Sequence, residues 1–117
     1  MEGITLDRTL FVITSSPGSP EALRVLSIAC TQDDQAHDMG LALLQDAVQA
    51  AIKHNQMPGA QVVSRLAAQG VAIYVAQQDL ALRGISPDDL ASGATVVDDR
   101  QLVDLMLADG TRTLGCF

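Results

Sequence analysis

Aromatic side chains are nearly absent from this 117-residue chain, which has one Tyr, two Phe and no Trp. That leaves little surface on which nucleic-acid bases could stack. Positive charge is also scarce: seven Lys and Arg stand against fourteen Asp and Glu, giving a formal net charge of −7. Such a surface repels phosphate backbones and anionic lipid, so neither direct nucleic-acid binding nor membrane association is expected. No run of about 18 apolar residues is present to span a bilayer. The opening MEGITLDRTL lacks the basic start, apolar stretch and small-residue cleavage site of a secretory signal, and the expected compartment is the cytoplasm.

Cysteine is limited to Cys30 and Cys116. In a chain that reads as intracellular, two distant cysteines are expected to be free thiols. Neither has a Cys or His partner at ligand spacing, so structural zinc is not expected. Several motifs are missing as well. There is no Gly-x-Gly-x-x-Gly after the first strand, no phosphate-loop lysine pattern and no Gly-x-Ser-x-Gly elbow. Neither a cofactor nor a metal is therefore expected.

What the chain does have is apolar content, 48% of its residues, enough for one core and one domain. Thr9 to Ser15 (TLFVITS) is a β-branched run without helical period and reads as a buried strand. Ser19-Pro20-Glu21 then carries the cap, first-turn proline and early acid of a helix start. That helix is expected to reach about Thr31, with Leu23, Leu26 and Cys30 on one stripe and Val25, Ile28 and Ala29 widening it. A polar connection, Gln32 to Asp38, precedes a second strand at Met39 to Gln45. Asp46 is placed to cap a helix over Asp46 to His54.

A further helix is expected at Ala60 to Gln69, ended by Gly70, then a third strand at Val71 to Ala76. Gln77 to Gly84 reads as one or two helical turns, and Ser86-Pro87-Asp88-Asp89 as another helix start. Ala94 to Val97 is a fourth strand, Asp98 or Asp99 caps a helix through Leu107, and Thr111 to Cys116 is a fifth strand. Strand and helix alternate throughout. The expectation is a three-layer α/β/α domain with a five-stranded, mainly parallel sheet and helices on both faces.

Ligands of such sheets bind outside the carboxyl ends of the strands. This topology singles out Ser15, Ser16 and Gly18 after strand one, Asp46 after strand two, Gln77, Gln78 and Asp79 after strand three, and Asp98 and Asp99 after strand four. The Ser15 to Ser19 loop has hydroxyls and N–H groups suited to an anion at a helix start, although such small-polar loops before helices are more commonly capped turns. Asp46 is a carboxylate at a strand end or a helix cap. His37, His54 and the acidic stretch Gln32 to Asp38 read as solvated surface. Cys30 lies on the apolar stripe of the first helix, as a core thiol would. Cys116 follows Gly115 near the end, the candidate for an exposed, reactive thiol, with Arg112 its nearest cation in sequence.

Three segments then carry a resemblance. LALLQDAVQAAI (Leu41 to Ile52), GVAIYVAQQDLALRGIS (Gly70 to Ser86) and TVVDDRQLVDLML (Thr95 to Leu107) resemble, in order and spacing, the DsrE, DsrF and DsrH sulfur-relay superfamily, and most of all its DsrH and TusB-like branch. TLFVITSSPGSPEALRVL (Thr9 to Leu26) is similar to the superfamily's opening strand and helix. The resemblance implies a five-stranded parallel sheet, sulfur carried as a cysteine persulfide, homo- or hetero-oligomers, and a sulfur-carrier protein as partner. It places the DsrE-type reactive cysteine in the loop after Val71 to Ala76, where this chain has Gln77, Gln78 and Asp79; DsrH-like subunits also lack that cysteine. Some DsrH proteins carry one in the first helix, to which Cys30 corresponds approximately. Ala47 stands where the family has glycine after Asp46.

Two roles follow: a persulfide carrier, sulfurtransferase-like, through Cys116 or Cys30, or a noncatalytic partner subunit. The alternative is a small-ligand or anion-binding module using Ser15, Ser16, Gly18, Asp46, Gln77 and Gln78.

Overall fold

A computed structural model describes residues 8–33 and 38–117. The apolar runs form strands β1 (Arg8–Ile13), β2 (Asp38–Leu43), β3 (Ala72–Ala76), β4 (Ala94–Val97) and β5 (Thr111–Leu114). Between them lie helices α1 (Pro20–Asp33), α2 (Pro58–Ala68), α3 (Gln77–Leu82) and α4 (Asp99–Leu107), with 3₁₀ turns at Gln45–Ala51 and Pro87–Asp89. The strands make one sheet in the order β4-β3-β2-β1-β5, parallel at each pairing.

This order follows from handedness. Three successive steps, β1 to β2 to β3 to β4, move the same way across the sheet, so right-handed crossovers put their helices on one face. The step from β4 to β5 returns past three strands, which sends α4 to the other face. The packing agrees. Phe11, Ile13, Leu41, Leu43, Ile73 and Val75 point into the larger core with α1, α2 and Leu80 of α3. Leu10, Val12 and Ala42 point the other way and pack with Val97 and Leu102, the latter on α4.

Because β1 and β2 are covered on both faces, their residues are apolar without alternation. Leu10 to Ile13 and Leu41 to Leu43 are each 0–2% exposed. Burying one large side chain of this kind contributes about 1.5–3 kcal/mol, so this strand pair is a substantial source of stability.

Several boundaries differ from the sequence expectation. α1 buries Ala22, Val25, Leu26 and Ala29, a run at i, i+3, i+4 and i+7, while Leu23 and Cys30 are half-buried and Ile28 is 47% exposed. Its buried stripe is thus narrower than the sequence suggests and is centred on different residues. The helix expected at Asp46 to His54 is a 3₁₀ turn that ends at Ala51, since Ile52 is extended and bridges to Leu90. The helix start at Ser86 yields only the three-residue turn Pro87–Asp89. β5 ends at Leu114 rather than Cys116. Residues 34–37, which hold His37 and part of the acidic stretch, lie outside the described residues.

The loop after β1 is fixed by α2. Pro17 is buried, and its carbonyl accepts the Gly59 N–H at 2.8 Å. A side chain at Gly59 would collide with that carbonyl, and its Cβ would stand 2.9 Å from Pro17 Cα. Backbone against backbone leaves nothing flexible to move. Gly59→Ala is therefore expected to cost about 1–3 kcal/mol, read as a lower urea midpoint with the slope unchanged.

Candidate functional site

All five strands deliver their carboxyl ends to one edge, where the sheet's connections converge. After β1, the Ser-Pro-acid signal works as the sequence suggests: Ser19 Oγ accepts the Ala22 N–H at 3.1 Å and starts α1. Ser16 Oγ accepts the Gly18 N–H at 3.4 Å, closing the turn. Ser15 is engaged differently. Its hydroxyl donates to the main-chain oxygen of Phe117 at 2.8 Å, and the N–H groups of Thr14 and Ser15 donate to the same oxygen at 3.2 Å each. The donors that suit this loop to an anion are thus directed at the chain itself.

Phe117 in turn donates its N–H to Val12 at 3.0 Å. Gly115 to Phe117 therefore leaves the β5 ladder and straps across the end of β1. Gly115 makes this path possible: at φ +152° its position favours glycine, and a Cβ there would lie 2.6 Å from the Val12 carbonyl oxygen. Cys116, between the glycine and the anchored Phe117, is exposed. The strap places this thiol at the strand-end edge, beside the Ser15 loop.

A second group forms after β2 and β3. Gln45 takes a positive φ of 53°, and Asp46 follows it. Asp46 does not cap the turn, as the sequence suggested; the turn has no side-chain cap. Instead Asp46 Oδ1 accepts from Arg83 Nη2 at 3.0 Å and Nε at 3.2 Å. Arg83 Nη1 also donates to the Asp79 main-chain oxygen at 3.2 Å and lies 3.6 Å from Asp79 Oδ1. One guanidinium thus ties the loop after β2 to both ends of α3. Gln77 and Gln78, exposed in the first turn of α3, join Ala81, Asp98 and Asp99 around a cleft of about 350 Å³. Asp98 is the cap of α4: its carboxylate accepts the Gln101 N–H at 2.8 Å while Gln101 Oε1 accepts the Asp98 N–H at 2.9 Å.

Cys30 belongs to neither group. α1 runs back against the strand direction, so its last turns lie toward the amino ends of the strands, and Cys30 is half-buried there against the main core. The two thiols therefore sit toward opposite ends of the sheet. His54 is exposed at the far end of the 3₁₀ connection, with φ 66°. Sequence reasoning did not single out Arg83 or Phe117. Arg83 lies inside the Ala81-Leu82-Arg83-Gly84 run that carries part of the resemblance, so its signal was present in the motif. Phe117 had no local signal, since its role depends on where β5 lands.

Two measurements test this geometry. Cys116 is expected to react with N-ethylmaleimide at least about tenfold faster than Cys30, because thiol reactivity requires access; intact mass over time on Cys30→Ser and Cys116→Ser variants reads the two rates. Arg83→Met is expected to cost no more than about 1 kcal/mol, because its pair with Asp46 is partly solvated. A thermal melt in low and high salt reads that contribution, which should shrink as salt rises.

Comparisons with known proteins agree with this architecture. A family model described as DsrH like protein matches residues 15–111. No curated protein matches the chain. Among solved structures, the ychN protein from E. coli superposes with a TM-score of 0.79 at 23% identity, covering 92% of this chain and 98% of that one. MTH1491 from Methanobacterium thermoautotrophicum, described as a protein of unknown function, gives a TM-score of 0.70 at 18% identity with the same coverages. At these identities the two structures speak for the fold, while the family match spans most of the chain. The chain belongs to the DsrH-like family, a family of sulfur-relay type.

Proposed function

We propose that this protein serves a sulfur relay as a noncatalytic partner subunit of an oligomer in the cytoplasm, rather than as the persulfide carrier. The observation that supports this most is the first turn of α3. Where the DsrE-type resemblance puts the sulfur-accepting cysteine, this chain presents Gln77 and Gln78. A glutamine amide is not a nucleophile toward sulfane sulfur, whereas a carrier needs a thiolate that attacks it. Asp46, Arg83 and Asp79 hold that turn in place, which suits a surface that another subunit reads more than one that must move to hand over sulfur.

A second reading is favoured by one feature, the exposed Cys116 strapped to the same strand-end edge. In that reading the Cys116 thiolate attacks the outer sulfur of a persulfide R–S–SH. The S–S bond of the donor breaks, R–S⁻ leaves with the electron pair, and Cys116–S–SH forms. Nothing in this step calls for a further oxidant or reductant.

One experiment separates the two. The full chain, its Cys116→Ser variant and its Cys30→Ser/Cys116→Ser variant are incubated with a small-molecule persulfide donor, alkylated and weighed intact. The partner-subunit reading expects no added sulfur that passes to a sulfur-carrier protein, and equal binding of that protein by wild type and double variant. Sulfur added to wild type, absent from Cys116→Ser and handed to the acceptor, would replace it with the carrier reading.

A further inference from the structure

The crossover from β3 to β4 spends its helix early. α3 is six residues long, and the rest of the connection contains only the three-residue turn Pro87–Asp89. The sheet face above the beginnings of β3 and β4 is therefore incompletely roofed, and a groove of about 1000 Å³ lies there. α2 forms one wall and the segment from Leu90 to Gly93 the other. Ile73 and Ala94, register partners on the two strands, form its floor. One end is closed by the bridge between Ile52 and Leu90, where Ala91 N–H donates to Ala51 at 2.8 Å and Lys53 N–H to Asp89 at 2.9 Å. Lys53 and His54 stand at that closed end.

Charge is the second observation. The chain has fourteen acids to seven Lys and Arg, yet among the described residues that line this groove none is acidic and Lys53 is the one Lys or Arg. Among the described residues Lys53 makes no ion pair. The described lining of this concave surface thus carries no acid, and its one lysine stands at the bridged end. The groove's volume falls at the upper end of the range of small-molecule pockets. An apolar body gains by leaving water in the channel, and an anionic head gains by meeting Lys53.

We propose that this groove binds a small organic anion with an apolar body, of the size and chemistry of a medium-chain carboxylate. No thiol lines the groove, so the site is independent of the relay reading and of either cysteine.

The test is calorimetric titration of the full chain with octanoate, octanol and acetate. Octanoate is expected to bind saturably and more tightly than octanol, which lacks the charge, or acetate, which lacks the body. Lys53→Gln should weaken octanoate by about threefold, the worth of one solvated ion pair, and leave octanol unchanged. Ser64→Phe, at an exposed position on the α2 wall, should abolish octanoate binding with the denaturation midpoint unchanged. The inference is overturned by absence of saturable octanoate binding, by equal binding of octanol, or by octanoate binding that survives Ser64→Phe.

Discussion

Every described strand of this protein points the same way, and a parallel strand can be reached only by carrying the chain back across the sheet. Each return must be covered by a helix or turn, so both faces of β1 and β2 are sealed and their residues are apolar without alternation. The right-handed path adds a direction to that requirement. Three steps one way and one long step back leave β1 between β2 and β5. The last strand consequently lands beside the first, and the residues after it, Gly115 to Phe117, meet the end of β1. The position of Cys116 is a consequence of this one reversal.

The strand-end edge then divides into two groups held by different forces. Around β1 and β5 the contacts are main-chain hydrogen bonds, with three donors of Thr14 and Ser15 converging on one oxygen of Phe117. Such bonds fix backbone position and are insensitive to salt. Around β2 and β3 a single guanidinium joins Asp46 and Asp79, with much of the pair in contact with water. Its energetic contribution is modest, and its effect is orientation: it holds the turn that presents Gln77 and Gln78. The resemblance put the DsrE-type reactive cysteine at that turn, a cysteine that DsrH-like subunits also lack, and this chain has a well-fixed turn there without a thiol.

The two faces of the sheet are unequal for the same topological reason. α1, α2 and α3 share one face, whereas among the described helices α4 alone crosses the other. On the crowded face the coverage still falls short over β4, because α3 stops after six residues. The groove beneath is a product of loop economy, and among the described residues that line it Lys53 is the one Lys or Arg and none is acidic.

The sequence by itself determined the elements whose signals are local. The β-branched runs are strands within one or two residues, since such side chains fit a pleated, doubly covered sheet. Ser19 and Asp98 cap the helices they precede, because a cap needs only an oxygen three residues from an N–H. Gly70 and Gly84 follow α2 and α3 with positive φ. Matters decided at long range were not legible. Asp46 had a local role open to it as a cap and lost it to Arg83, 37 residues away, whose charged fork donates two hydrogen bonds where a cap would have accepted one from a backbone N–H. Ile52 left its helix because Leu90 offered it a bridge. Cys30 and Cys116 were both possible thiols on paper; only the fold sent one toward the amino ends of the strands and strapped the other to the opposite edge. Capping and strand formation depend on neighbours along the chain, whereas which groups share an edge depends on the order and direction of the crossovers.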